Sequence, residues 1–221
     1  MPSPQIGRLH VLTDVHFQHE HSHAEIAERA CAGGADTIQF RDKGAALRDR
    51  LEALRDTMAT CRAAHVTCLV NDDLALALAT GADGVHLGQH DLPIADARHV
   101  LPRVARPARI VGATATTAEQ AQAAEADGAD YIGFGPVFPT RSKENPASVK
   151  GLDGLATTCA AVSIPVIAIA GITPERVALC LDAGAWGVAV MTAITTARNP
   201  IESTRAFRRQ LDDWLAQQAT R

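Results

Sequence analysis

Apolar residues are arranged along this chain in two alternating patterns. Short runs rich in Val, Ile and Leu occupy 9–13, 37–40, 67–70, 84–86, 109–112, 131–134, 166–169 and 187–190. They are too short for helices and nearly all apolar, the pattern of strands covered on both faces in a parallel sheet. Each is followed by an Ala-rich stretch with apolar residues at helical spacing, at 22–33, 45–64, 72–80, 93–102, 117–127, 151–162, 174–183 and 200–217. Eight strand–helix units in 221 residues predict a compact (βα)8 barrel of the TIM type.

An internal repeat points the same way. Gly34-Ala35-Asp36, Gly81-Ala82-Asp83, Gly128-Ala129-Asp130 and Gly184-Ala185-Trp186 each close a helical stretch and open a strand, with glycines spaced by 47, 47 and 56 residues. Glycine in the left-handed conformation stops a helix and turns the chain directly into the next strand. Each repeat spans two units, so four repeats make eight. An open doubly wound sheet would call for five or six strands and a Gly-rich first turn, and Thr13-Asp14-Val15-His16 is no such turn. The units fill 1–221 as one domain with no linker. The longest irregular stretch, 135–150, follows the sixth strand and falls on the face where barrel active sites are built.

Composition narrows the partners. Aromatic residues are only 4 %, too few for a base-stacking platform, and the net charge is −4 with no block of Lys or Arg, which excludes nucleic acid. No apolar stretch approaches the ~18 residues of a membrane span, and the first residues do not read as a secretory leader. Five scattered cysteines without a Cys-x-x-Cys pair read as buried, reduced thiols of a cytoplasmic protein.

The polar residues just past the strands carry the chemistry. Alternation puts Gln39, Arg41 and Lys43 on one face of the second strand end, a fork, a point charge and an amide suited to a diphosphate. Asp72 and Asp91 follow the neighbouring third and fourth strands. Two carboxylates facing a diphosphate repel it unless a hard cation stands between, which predicts Mg2+. The plainer readings are an N-cap of the third helix for Asp72 and a turn before Pro93 for Asp91. In the long loop Thr140, Arg141, Ser142 and Lys143 suit an anion and a closing lid, and Gly171, Met191 and Thr192 follow the last two strands, where this fold binds phosphate. Two anion subsites imply two small phosphorylated substrates. The stretch with His16, His19, His21 and His23 reads as a polar loop, with a transition-metal site as the alternative. His86 is expected near the barrel mouth without a chemical role.

The chain resembles the thiamine phosphate synthase family over nearly its whole length. Val11-Leu12-Thr13-Asp14, the segment 39–43, Asn71-Asp72, 81–93 (GADGVHLGQHDLP), 128–143 (GADYIGFGPVFPTRSK), 164–172 (IPVIAIAGI) and 184–194 carry the resemblance. It implies a Mg2+-dependent transferase that joins hydroxymethylpyrimidine diphosphate to a thiazole phosphate, giving thiamine phosphate and diphosphate. It places Gln39, Phe40, Arg41, Asp42, Lys43, Asn71, Thr114 and Lys143 on the pyrimidine diphosphate, with Arg41, Lys43 and Lys143 as the catalytic cations. It places Asp72 and Asp91 on Mg2+, and Thr140, Arg141, Ser142, Gly171, Met191 and Thr192 on the thiazole phosphate. The implied mechanism is dissociative: diphosphate departs, a pyrimidine methyl cation forms, and the thiazole nitrogen attacks it. This chain departs from the family pattern with Thr114 and Thr116 in place of Ser and His, with hydroxyl types exchanged at Ser142 and Thr192, and with Ala170 in place of Gly. A thiazole tautomerase, which tends to carry His where Pro136 stands, and a non-catalytic thiamine-phosphate-binding relative are the competing readings. The sequence leaves open whether the chain forms a homo-oligomer.

Overall fold

The computed structural model describes residues 6–17, 20–101, 109–140, 142 and 148–220. Eight parallel strands close into a barrel in sequence order. They are β1 Leu9–Thr13, β2 Thr37–Phe40, β3 Thr67–Asn71, β4 Gly84–Leu87, β5 Ile110–Ala115, β6 Tyr131–Phe134, β7 Val166–Ile169 and β8 Gly187–Val190. The helices are α1 His23–Ala32, α2 Leu47–Ala63, α3 Leu74–Thr80, α4 Ile94–Val100, α5 Ala118–Ala126, α6 Gly151–Ala161, α7 Pro174–Asp182, α8 Thr192–Thr195 and α9 Pro200–Ala219. The expected (βα)8 barrel is the observed fold.

Strand alternation divides the apolar residues into two cores. Outward residues such as Val11, Ile38, Phe40, Val85, Val111, Ile132, Phe134, Ala168 and Val188 pack under the helices. Inward Leu12, Leu69, Ile110, Tyr131, Ile167 and Ala189 fill the barrel. The same inward face carries Gln39, in register with Leu12 and Leu69, and His86 and Thr114 farther along β4 and β5, so polar groups line part of the barrel interior.

The repeat has a physical explanation. Gly34, Gly81, Gly128 and Gly184 all take positive φ, between 75° and 97°. The following alanine N–H donates five residues back, as in Ala82 to Ala77 and Ala129 to Ala124 (3.1 and 2.9 Å), which closes each helix as a Schellman turn. The aspartate then ties down the neighbouring strand: Asp36 accepts from the N–H of Arg8 and Leu9, Asp83 from Cys68, and Asp130 from Val111. Trp186 has no carboxylate, and Arg8 reaches its carbonyl instead (2.7 Å).

Some boundaries differ from expectation. β5 runs on through Gly112-Ala113-Thr114-Ala115, so Thr114 is an inward strand residue rather than a loop residue. The small residues there weaken the β signal that alternation alone would give. The one-turn α8, too short for periodicity to mark, precedes the long C-terminal α9. All five cysteines are free thiols, Cys61, Cys68 and Cys180 of them buried. No helix among the described residues is long and apolar enough to cross a membrane.

Candidate active site

Three polar groups gather at the C-terminal end of the barrel. The first joins β2, β3 and β4. Lys43 Nζ lies 2.9 Å from Asp72 Oδ2, and the Asp91 carboxyl is within hydrogen-bonding reach of Asp72. Asp73, not Asp72, caps α3: its Oδ1 accepts from Leu76 N (2.9 Å), and its Oδ2 receives Arg50 (3.1 Å). Asp72 is thereby left without a capping role and sits at φ +67°, in the left-handed region that costs a non-glycine residue energy. Asp91 does close a turn, accepting from Gly88 N at 2.6 Å. Even so, its pKa is raised, first by burial and then by the neighbouring Asp72 carboxylate, against the pull of Lys43. Among the described residues, two carboxylates crowd together here beside Lys43.

Arg41 is held from behind. It pairs with Asp14, just past the end of β1, whose Oδ1 also accepts from His16 N (2.7 Å). Sequence reasoning gave Asp14 no role, although it continues the inward face two residues beyond Leu12. The register that pairs Thr13 with Phe40 brings the residues after them, Asp14 and Arg41, side by side.

The second group lies deeper. His86 contacts the Tyr131 hydroxyl through Nδ1 (2.8 Å) and the Thr114 hydroxyl through Nε2 (2.9 Å), and Gln39 reaches Tyr131 as well. Burial lowers the His86 pKa to about 4, so the ring is neutral at pH 7. Gly112 and Gly133 make the space: a Cβ on Gly112 would stand 2.3 Å from the Tyr131 ring, and one on Gly133 would stand 2.8 Å from His86. His86 and Tyr131 were not expected as site residues. Their signal was the inward glycines beside them, which only cross-strand register reveals.

The third group spans the β6–α6 loop and the start of α8. Ser142 Oγ lies 2.8 Å from Thr192 Oγ1 and 3.2 Å from Thr140 Oγ1. Gly171, at φ +65°, passes beneath this loop. A Cβ there would come within 2.5 Å of the Pro139 carbonyl, so the close approach requires glycine. Ala170, next to it, also takes a positive φ, of 81°. The conformation suits the glycine that the family usually carries at that position.

The expected residues thus divide. Gln39, Arg41, Lys43, Asn71, Thr114, Asp72 and Asp91 come to the mouth on β2 to β5, and Thr140, Ser142, Gly171, Met191 and Thr192 come together on the opposite arc. Phe40 and Asp42 do not face the mouth. Alternation turns Phe40 into the outer core, where it is 1 % exposed, and Asp42 back onto the N–H groups of Gly44 and Ala45 (3.0 Å each). Their expected place on the pyrimidine diphosphate is corrected on that ground. Arg141 and Lys143 lie outside the described residues, as does His19. The histidine stretch is not one loop: His23 is buried at the start of α1. Among the described residues no group of three or more His, Cys, Asp or Glu side chains is placed to hold a metal by itself.

Residues 9–194 match the family model described as thiamine monophosphate synthase. This chain belongs to the thiamine monophosphate synthase family. It is 55 % identical over 210 residues to a thiamine-phosphate synthase of Salinibacter ruber, covering 95 % of this chain and 91 % of that one. It is 45 % identical to one of Methanocella arvoryzae, over 89 % of this chain and 91 % of the relative. A solved thiamine phosphate pyrophosphorylase of Pyrococcus furiosus superimposes with a TM-score of 0.85 at 36 % identity, covering 94 % of this chain and 96 % of that one.

Proposed function

We propose that this protein is a thiamine phosphate synthase: it joins hydroxymethylpyrimidine diphosphate to hydroxyethylthiazole phosphate, forming thiamine phosphate and releasing diphosphate. The observation that carries the reading is the contact of Lys43 with Asp72, beside Asp91, at the ends of β2, β3 and β4. Lys43 lies against the carboxylate pair and Arg41 stands two residues before Lys43 on the same strand end, a set of cations and hard oxygens that suits a diphosphate with its counter-ion.

The carboxylate pair fits Mg2+. The donors are hard oxygens, they crowd against each other, and one of them stands on a strained backbone. With only two such side chains, the remaining ligands would be waters and substrate oxygens, as this ion prefers. When bound, Mg2+ supplies charge neutralisation of the departing diphosphate.

The chain's own residues do the rest. Lys43 and Arg41 hold the diphosphate by charge, and Arg41 is kept aligned by Asp14. The carbon–oxygen bond to the diphosphate breaks with its electron pair leaving on oxygen, so fixed positive charge at that oxygen lowers the barrier. Neutral His86, with Thr114, Tyr131 and Gln39, offers a polar but uncharged floor for the pyrimidine ring, which does not compete with the developing cation for its counter-charge. Thr140, Ser142 and Thr192 present hydroxyls to the thiazole phosphate, and Gly171 lets it approach the backbone. Holding the thiazole nitrogen against the pyrimidine methylene turns a bimolecular attack into a local one. The protein is taken to work in the cytoplasm on these two small substrates. Incubating the purified protein with both substrates and Mg2+ and measuring diphosphate release tests the reading: stoichiometric release with thiamine phosphate is expected, and binding of the substrates without release would refute it.

A further inference from the structure

The segment that carries Arg41 and Lys43 leaves β2 at Phe40 and enters α2 at Leu47, with Lys43 near its middle. The Lys43 side chain is more than half exposed, so its own packing does little to place it. Its backbone is placed by Asp42. One Asp42 oxygen gathers the N–H groups of Gly44 and Ala45 at 3.0 Å each, which folds the segment back toward α2. The other oxygen lies 3.4 Å from His23 Nε2, and no hydrogen-bond partner reaches that nitrogen among the described residues.

His23 is itself fixed on three sides. Its Nδ1 meets the Thr13 hydroxyl at 2.9 Å, in a buried contact at the end of β1. Its ring packs 4.4 Å from Phe40, the last residue of β2. It is the first residue of α1, and the turn before it is locked by a capping box between Ser22 and Glu25. Burial pushes the imidazole pKa down against the pull of Asp42, which leaves a neutral ring. Nε2 faces the Asp42 carboxylate at 3.4 Å, and in the tautomer whose Nδ1 accepts from the Thr13 hydroxyl the single ring N–H stands on Nε2.

The geometry points to His23 as a positioning residue for the diphosphate subsite, acting through Asp42 to hold Lys43 against Asp72. A buried histidine from the start of α1 thus sets where a half-exposed lysine after β2 stands. Among the described residues no contact joins this arrangement to the hydroxyl group at Thr140, Ser142 and Thr192, so its loss is felt by one substrate and not by the other. The inference rests on the proposed synthase reading for its choice of substrates, and on geometry alone for the anion.

The test uses His23→Phe, which keeps a ring on Phe40 and removes both polar contacts, and His23→Gln, which keeps a donor toward Asp42. Affinity for inorganic diphosphate with Mg2+ is read by calorimetry, and KM is read for each substrate. His23→Phe is expected to weaken diphosphate binding and raise KM for the pyrimidine diphosphate about tenfold, the order of one lost charge-assisted contact. KM for the thiazole phosphate stays within about twofold, and His23→Gln recovers most of the loss. In a Lys43→Ala background His23→Phe adds nothing further, because the two act on one contact. If His23→Phe does not fold, Asp42→Asn, which keeps the turn acceptor and removes the charge facing His23, is expected to show the same selective loss. Equal rises in both KM values, an undiminished penalty in the Lys43→Ala background, or a folded variant with unchanged diphosphate affinity would each overturn the inference. A wild-type protein that binds diphosphate but releases none from the two substrates would instead defeat the reaction assigned to it, and the calorimetric comparison would still decide the role of His23.

Discussion

Two imidazoles buried inside the barrel make the fold sensitive to mild acid. His10 and His86 are both buried on the inward face, and burial lowers the pKa of each to about 4, from an ordinary 6.5. In the unfolded chain both rings are protonated as the pH passes below 6.5, while in the folded chain they stay neutral to about 4. Between those values the unfolded state binds more protons, so stability is full above pH 6.5 and falls as the pH drops. Each histidine costs the folded state about 3 kcal/mol by pH 4, and the pair gives a slope of about 2 kcal/mol per pH unit near pH 5. That is a large share of the ~5–15 kcal/mol that a domain has. His23, also pushed down by burial, acts in the same direction. Carboxylates whose pKa is lowered begin to lose their contribution only near their ordinary values of 3.8 to 4.5, and Asp91, whose pKa is raised, acts in the opposite direction there, so the fall between pH 6.5 and 5 is set mainly by the imidazoles. The assay is urea unfolding at pH 7, 6 and 5, followed by fluorescence of Trp186 and Trp214. His10→Gln, whose amide can still donate to the Gly7 carbonyl that His10 Nε2 meets at 3.1 Å, should lose about half of the slope. A wild-type curve flat from pH 6.5 to 5, or a His10→Gln slope equal to that of the wild type, would refute the reasoning.

Other outcomes follow from single contacts. Lys43→Ala and Asp91→Ala should each lower the rate of diphosphate release at least ~10²-fold, the order expected for losing a charge stabiliser, with near-normal turnover of either showing that the site lies elsewhere. Asp83→Ala leaves the Cys68 N–H without its 2.8 Å partner and should cost about 1–3 kcal/mol in urea unfolding while leaving KM for both substrates unchanged.

The barrel was readable because its signal is repeated. Eight apolar runs and four glycine-ended repeats say the same thing eight and four times, and errors of one or two residues at the ends of elements do not change the count. The candidate site was legible where polar residues stand just past the strands, as with Arg41, Lys43, Asp72 and Asp91, which the structure brings to one end of the barrel. It was not readable where a residue's use depends on a neighbour far along the chain. His86 has a pocket only because Gly112 and Gly133 lie across the register from it, 26 and 47 residues on. Phe40 and Asp42 sit within the same five-residue motif as Gln39, Arg41 and Lys43, yet alternation sends them to the other side. Asp72 and Asp73 are adjacent carboxylates, and which of them caps α3 is decided by backbone conformation and by Arg50, 23 residues away. Motif resemblance marks a segment, whereas register and alternation decide which of its residues face the substrate.

The proposed role of the carboxylate–lysine group at the ends of β2, β3 and β4 is to hold a diphosphate with Mg2+ as it leaves. Its most direct measurement is the rate of diphosphate release from hydroxymethylpyrimidine diphosphate and hydroxyethylthiazole phosphate, with and without Mg2+, in wild-type protein and in Asp72→Asn. Release should require both substrates and the metal ion and should fall at least ~10²-fold in the variant. Release at the same rate after chelation, or an Asp72→Asn variant as fast as the wild type, would contradict it.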